Sequence, residues 1–104
     1  MPKYLRGEAW LVDLGLAAKT RPCVLLTDSP KPEDLALVVV VPHTTVVRGS
    51  SWEFPCPKQF LQQGVFHLQQ IRAAPEAYLV RKLGVLTQAE MEDMSKKLRE
   101  KLRL

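Results

Sequence analysis

The sequence predicts a mainly β protein, a small antiparallel barrel with one C-terminal helix laid on it. Three observations carry that expectation. Apolar, β-branched runs of strand length recur at close intervals between Pro, Gly, Asp and Ser turn signals. One long helical pattern comes last, behind a capping box. The 104 residues suffice for a single domain over 1–104 with one core, and not for two.

Glu8 to Leu14 mixes alternation with aromatic and β-branched residues and reads as the first strand. Gly15 to Thr20 is a short loop. Arg21-Pro22 opens a second strand, Cys23 to Thr27, which stops at the turn signal Asp28-Ser29-Pro30. Lys31 to Asp34 is a polar connector. Leu35 to Val41 is a continuous apolar run, the mark of a strand buried on both faces. Arg48 to Ser51 turns the chain, and Trp52 to Phe54 pairs back as a fourth strand. Gln59 to Gln63 reads as a single helical turn and Gly64 to Arg72 as a fifth strand. Leu79 to Leu86 fits a short helix and a short strand equally well.

The last element has a defined start. In Thr87-Gln88-Ala89-Glu90 the threonine hydroxyl and the glutamate carboxylate satisfy each other's orphan amides. Met91, Met94, Leu98 and Leu102 then recur at helical spacing as one apolar stripe. Acidic residues fill the first half of this helix and basic ones the last, as the helix dipole favours. Those basic residues read as a solvated helix end rather than a binding face.

Composition narrows the function classes. The chain is 46% apolar and 25% charged, ordinary for a globular protein. A net charge of +4 and a pI of about 9.3 are compatible with a polyanionic partner. No secretory h-region and no bilayer-spanning run is present, so a cytoplasmic protein with no membrane association is expected. Cys23 and Cys56 show no CxxC spacing and read as reduced, small apolar side chains. No metal-ligand motif, P-loop or nucleophile elbow occurs, and acidic residues are scattered, so neither a metal site nor a cofactor is implied.

Three polar clusters stand at the ends of apolar strands: Lys19-Thr20-Arg21-Pro22, Pro42-His43-Thr44-Thr45 with Arg48, and Gln69-Gln70-Ile71-Arg72. Arginine offers a rigid fork of donors matched to phosphate, and a neighbouring hydroxyl adds a further hydrogen bond. Nucleic-acid chemistry built from these groups would run without metal. RNA permits this, because its 2′-OH is an internal nucleophile that the protein need only orient while stabilising the transition state.

Five stretches occur in order: RGEAWLVDLG (6–15), KTRPCVLL (19–26), VVVPHTT with Arg48-Gly49, LQQIR (68–72) and LVRKLGVLTQAEM (79–91). Together they resemble the MazF/PemK toxin endoribonucleases over nearly the whole chain. The resemblance implies an SH3-like barrel, akin to the CcdB toxins, that forms homodimers. It implies metal-independent cleavage of single-stranded RNA, and a cognate antitoxin protein lying across the groove. The family's catalytic arginine before proline matches Arg21, and its catalytic hydroxyl after the third strand matches Thr44. Its glutamine matches Gln70. The acidic residue ahead of that glutamine is Gln69 here, and Ala73 stands where threonine is usual. The loop LGLAAKTRP (14–22), a mobile flap over the RNA in many relatives, is short.

Beside the catalytic pair, Lys19, Arg48 and Arg72 are candidates for phosphate contact, with plain solvation as the alternative. Gln70 is a candidate to read a base edge, and Gln69 stands on the same RNA-binding face. His43 reads as a packing or RNA-contact residue with a pKa suited to an auxiliary base. Thr45 should face away from Thr44 if the strand persists, and is structural first and an RNA contact second. Trp10 reads as core rather than as a stacking platform, and His67 as structural. Two other classes fit the same barrel: a gyrase-inhibiting toxin that works through its C-terminal helix, and an RNA-binding barrel that never cleaves.

Overall fold

The computed structural model describes residues 3–15 and 19–104, and within them an antiparallel sheet of seven strands followed by a helix. The strands are β1 (Glu8–Asp13), β2 (Thr20–Leu25), β3 (Leu37–Thr44), β4 (Glu53–Phe54), β5 (Val65–His67), β6 (Arg72–Pro75) and β7 (Leu79–Val85), and the helix is α1 (Gln88–Leu102). Pairing runs in the order β4-β5-β3-β2-β1-β7, with β6 beside β5 along the same edge of β3. Among the described residues this path has two ends, so the sheet is not closed into the barrel that the strand pattern suggests. No helix is long and apolar enough to cross a membrane.

Several boundaries move, each for a local reason. Strand β2 starts at Thr20 because Asp13↔Thr20 and Val12↔Arg21 already pair with β1. It ends before Thr27, whose hydroxyl instead accepts the Val39 amide at 3.1 Å. Strand β3 starts late, leaving Leu35 exposed, and runs through Pro42 to Thr44. Pro42 is tolerated there because the neighbour along that edge changes from β6, at Val40, to β5, at His43. The short β4 pairs with β5 rather than β3. Residues 59–63 form no helix; Leu61 N–H donates to Lys58 O in a turn. Residues 79–85, left open by the pattern, are a strand on β1. Residues 16–18 of the short flap-like loop lie outside the described residues.

The expected fifth strand divides, with consequences for the site. His43↔Phe66 sets the register of β5 on β3; carried straight on, it would bring Val40 opposite Gln69. Val40 in fact faces Arg72. A 3₁₀ turn over Leu68–Gln70 has inserted three extra residues, held by Leu68 N–H to Trp52 O at 2.9 Å. Because side chains alternate with period two, an odd insertion transfers everything beyond it to the opposite face of the sheet.

The two faces carry separate clusters. Ala9, Val24, Val41 and Phe66 point to one face and meet Met91, Met94 and Leu98 of α1. Val12, Cys23, Leu25, Val38, Val40 and Ala74 point to the other, with Tyr4 and Leu14. The pairs Val24↔Val41, Cys23↔Pro42 and Leu25↔Val40 fix this parity across β2 and β3. Both cysteines are free and buried.

The capping box forms as read. Thr87 Oγ1 accepts the Glu90 amide at 3.1 Å, and the Thr87 amide donates to Glu90 Oε1 at 2.7 Å. Lys58 Nζ stands 2.6 Å from the same carboxylate. Burial alone would raise the Glu90 pKa, but Lys58, the Thr87 amide and the Cys56 thiol together hold it down at about 2, against an ordinary 4.5. The folded pKa lies below the unfolded one, so this stabilisation is complete above the ordinary value and lost as pH falls towards 2. After discounting for partial exposure it is on the order of 2 kcal/mol. Glu90→Gln is expected to flatten the acid limb of stability, read as the urea midpoint between about pH 5 and pH 2. An acid limb identical to that of the parent protein would count against this role.

Candidate active site

Beyond Cys23↔Pro42 no further β2–β3 pairs form, although both strands continue, to Thr20 and Thr44 respectively. Arg21 and Thr44 each lie two residues past that last pair. Parity therefore gives them the same face of the sheet, the one that carries Cys23 and Val40. Arg72, opposite Val40, shares it because of the odd insertion. Two arginines and one hydroxyl, from β2, β6 and β3, thus share one face at adjacent strand ends.

The electrostatics agree with this placement. Burial pushes the Cys23 thiol up to about 12, while Arg72 and then Arg21 pull it down, so both guanidinium charges are felt at one buried sulfur. The Cys23 thiol donates to Arg21 O at 3.6 Å, which fixes the backbone beneath that arginine. Arg72 Nη2 donates to Leu14 O at 3.5 Å, a long and weak bond. Thr44 Oγ1 accepts the Val46 amide at 3.1 Å. That bond uses a lone pair and leaves the hydroxyl hydrogen to donate to an anion.

His43 and Thr45 belong elsewhere. With Lys19, Thr20, Arg21 and Pro22 they line a cavity of about 430 Å3 whose other wall is Phe60 and Gln62 and whose floor includes Leu11, Arg81 and Leu83. Leu11, Pro22 and His43 mark it as the helix-packed side, and Arg21 is the residue that also belongs to the other face. His43 is buried, its ring edge-on to Phe66 at 5.0 Å between centroids. Burial lowers its pKa, so the imidazole is neutral near pH 7. Its expected separation from Thr44 is present, and Thr45 follows His43 to the groove. Lys19 takes a left-handed backbone, φ 59°, which costs a non-glycine residue about 1–2 kcal/mol.

Arg48, Gln69 and Gln70 lie outside this cavity. Gln69 and Gln70 are exposed on the 3₁₀ turn between β5 and β6, beside the β3 changeover. Arg48 is in the β3–β4 loop, where Glu53 accepts the Arg48 amide at 2.7 Å and the Gly49 amide at 3.0 Å. Gly49 has φ 79°, a conformation natural to glycine, and that lets two successive amides face one carboxylate. Those bonds, the Arg48 amide first, lower the Glu53 pKa, so this buried carboxylate is a loop clamp. Among the described residues no three His, Cys, Asp or Glu side chains come together to hold a metal ion.

Sequence reading missed Phe60, Gln62 and Arg81. The first two sit in the segment read as a helical turn, and Arg81 in the stretch left open between helix and strand. Alternation along the stretch would not have found Arg81, because a register shift between Leu11 and Val12 puts Leu79 on one face and Arg81 and Leu83 on the other.

Comparison with known proteins agrees with this architecture. No curated protein matches the chain. An endoribonuclease from a mycobacterial species, solved in complex with its cognate antitoxin, is 27% identical, with 96% of this chain and 95% of that one covered and a TM-score of 0.78. The Mycobacterium tuberculosis toxin MazF-mt6 is 26% identical over 93% of this chain and 97% of its own, with a TM-score of 0.77. MazF from Deinococcus radiodurans, at 17% identity and TM-score 0.77 over 100% of this chain and 99% of its own, shows the same fold. The profile of the PemK-like, MazF-like toxins of type II toxin–antitoxin systems matches residues 5–102, and the chain belongs to that family.

Proposed function

We propose that this chain is a metal-independent endoribonuclease that cleaves single-stranded RNA, with Arg21 and Thr44 at the reacting phosphate. The observation that carries the reading is the shared sheet face of Arg21, Thr44 and Arg72. Membership of the toxin family and the endoribonuclease relative at 27% identity support it. In the same reading residues 1–104 act as one cytoplasmic domain, the curled sheet is an SH3-like barrel, and the toxin is a homodimer blocked by an antitoxin protein.

The substrate's 2′-oxygen attacks phosphorus while the bond from phosphorus to the 5′-oxygen breaks. A 2′,3′-cyclic phosphate and a 5′-hydroxyl result. The attacking hydroxyl loses its proton to solvent and the leaving oxygen takes one up, so protons balance without a protein base. Arg21 and Arg72 meet the charge that grows on the non-bridging oxygens, and Thr44 donates its hydroxyl hydrogen to one of them. Arg21 acts as a charge stabiliser and hydrogen-bond donor rather than as a base, because a guanidinium carries donors and no acceptor. His43 faces away from Thr44. Modest turnover follows from a site that stabilises charge but holds no base at the nucleophile.

Purified protein incubated with one long single-stranded RNA in EDTA should give discrete fragments with cyclic or simple 3′-phosphate ends. Intact RNA across varied sequences would refute the proposal. Gyrase binding without cleavage would return the gyrase-inhibitor reading, and salt-steep binding without cleavage the non-catalytic one.

A further inference from the structure

The cavity on the helix-packed side of the sheet has a chemistry of its own. Its lining includes Lys19, Arg21 and Arg81, and no carboxylate among the described residues. Its volume of about 430 Å3 falls in the lower part of the range, about 300–1,000 Å3, that small-ligand sites occupy. A duplex cannot enter such a space; one unstacked nucleotide can. Aromatic, amide and guanidinium groups are the set that single-stranded RNA sites present to a base and its phosphate.

The wall that carries Phe60 and Gln62 is built rather than draped. Phe60 lies against the Gly84 backbone, where an added Cβ would come 2.5 Å from its ring. At one end the wall is tied to α1 by the Lys58–Glu90 ion pair, and at the other Gly64 abuts the Thr44 carbonyl. Gln62 is exposed at the mouth and also lines an adjoining cavity of about 380 Å3, as does His43. Arg81, opposite Leu11 on β1, is exposed and makes no ion pair among the described residues. Gln62 and Arg81, exposed at the rim of a groove of mixed polar and apolar lining, thus have no structural task among the described residues.

We propose that this groove is a nucleotide subsite that seats one base of single-stranded RNA against Phe60, reads its edge with Gln62 and holds the adjacent phosphate with Arg81. Arg21, at the rim between the two faces, then joins the subsite to the scissile phosphate. The inference rests on the endoribonuclease reading and adds to it Phe60 and Gln62, which lie outside the five stretches, and Arg81, which lies within one of them without a role assigned there.

The test uses the full-length protein, a long single-stranded RNA with mapped cut sites, and the variants Arg81→Ala, Arg81→Lys and Gln62→Ala. Both positions are exposed, so folding is expected to be kept, and thermal melting checks this. Arg81→Ala should raise KM roughly tenfold, leave kcat within about twofold and reduce the salt slope of RNA binding by about 1. Arg81→Lys should recover part of the lost affinity. Gln62→Ala should keep kcat and relax the base preference at one position next to the cut by roughly tenfold. Parental KM, salt slope and cut map in both alanine variants would overturn the subsite while leaving the nuclease standing. Weaker binding of an antitoxin with unchanged RNA cleavage would assign the groove to a protein partner and overturn the subsite as well. Parental protein that cuts no RNA would sink the nuclease reading itself.

Discussion

Replacing Arg21 by alanine is expected to slow RNA cleavage on the order of a hundred- to a thousandfold, the cost of one preorganised donor at a developing oxyanion. The loss should appear in single-turnover rates with RNA in excess of its binding constant, because the guanidinium acts on the transition state. Half-buried at the rim, Arg21 contributes little to either apolar cluster, so the melting temperature should move by only a few degrees. Arg21→Lys keeps the charge but loses the planar fork, and should fall between the two. Thr44→Ser should retain most of the rate, whereas Thr44→Val should lose it with its hydroxyl. Parental cleavage by Arg21→Ala would remove the arginine from the chemistry.

Gly64→Ala is expected to be the most damaging single methyl in the chain, at more than about 3 kcal/mol of stability. The added carbon would lie well inside 3.0 Å of the Thr44 carbonyl oxygen and 2.9 Å from His43 Cε1. Neither neighbour can retreat. Thr44 is held in the ladder by Val65, and His43 is pinned edge-on against Phe66. Relief must come from moving the end of β3, which takes Thr44 out of line with Arg21, so cleavage should fail even in the folded fraction. Gly84→Ala provides the contrast. Its new methyl meets only the Phe60 ring, at 2.5 and 2.6 Å, the far end of a side chain rather than backbone, so the ring can yield, at the expense of its packed place in the groove. Urea midpoints should therefore rank parent, Gly84→Ala, Gly64→Ala. A Gly64→Ala protein within about 1 kcal/mol of the parent would contradict the close approach.

What the amino-acid pattern revealed, and what it hid, follows from range. The capping box at Thr87 and the stripe Met91, Met94, Leu98 are local and appear in the fold as read, whereas Leu102, expected to continue the stripe, is exposed at the end of the helix. Strand cores such as Val38 to Val41 were legible because a buried strand is written in consecutive apolar residues. Strand ends were not, since Thr27 and Thr44 look alike until their partners are known; one hydroxyl receives Val39 and the other receives Val46. Alternation separated His43 from Thr44 correctly. The same rule, applied straight along Gly64 to Arg72, could not see the turn at Leu68–Gln70, because what selects it is the Trp52 carbonyl, far off in sequence. The groove stayed hidden for the same reason. Phe60 and Arg81 are unremarkable alone, and only the pairing of β7 with β1 and the packing of Phe60 on Gly84 put them side by side.

The odd count of residues in the Leu68–Gln70 turn sets a rule for how this connection can change length. Gaining or losing two residues there would preserve which way Arg72 points, whereas one residue either way would exile that cation to the helix side. Lineages that drift at this hinge should therefore do so in steps of two, or else recruit a new positive charge from elsewhere.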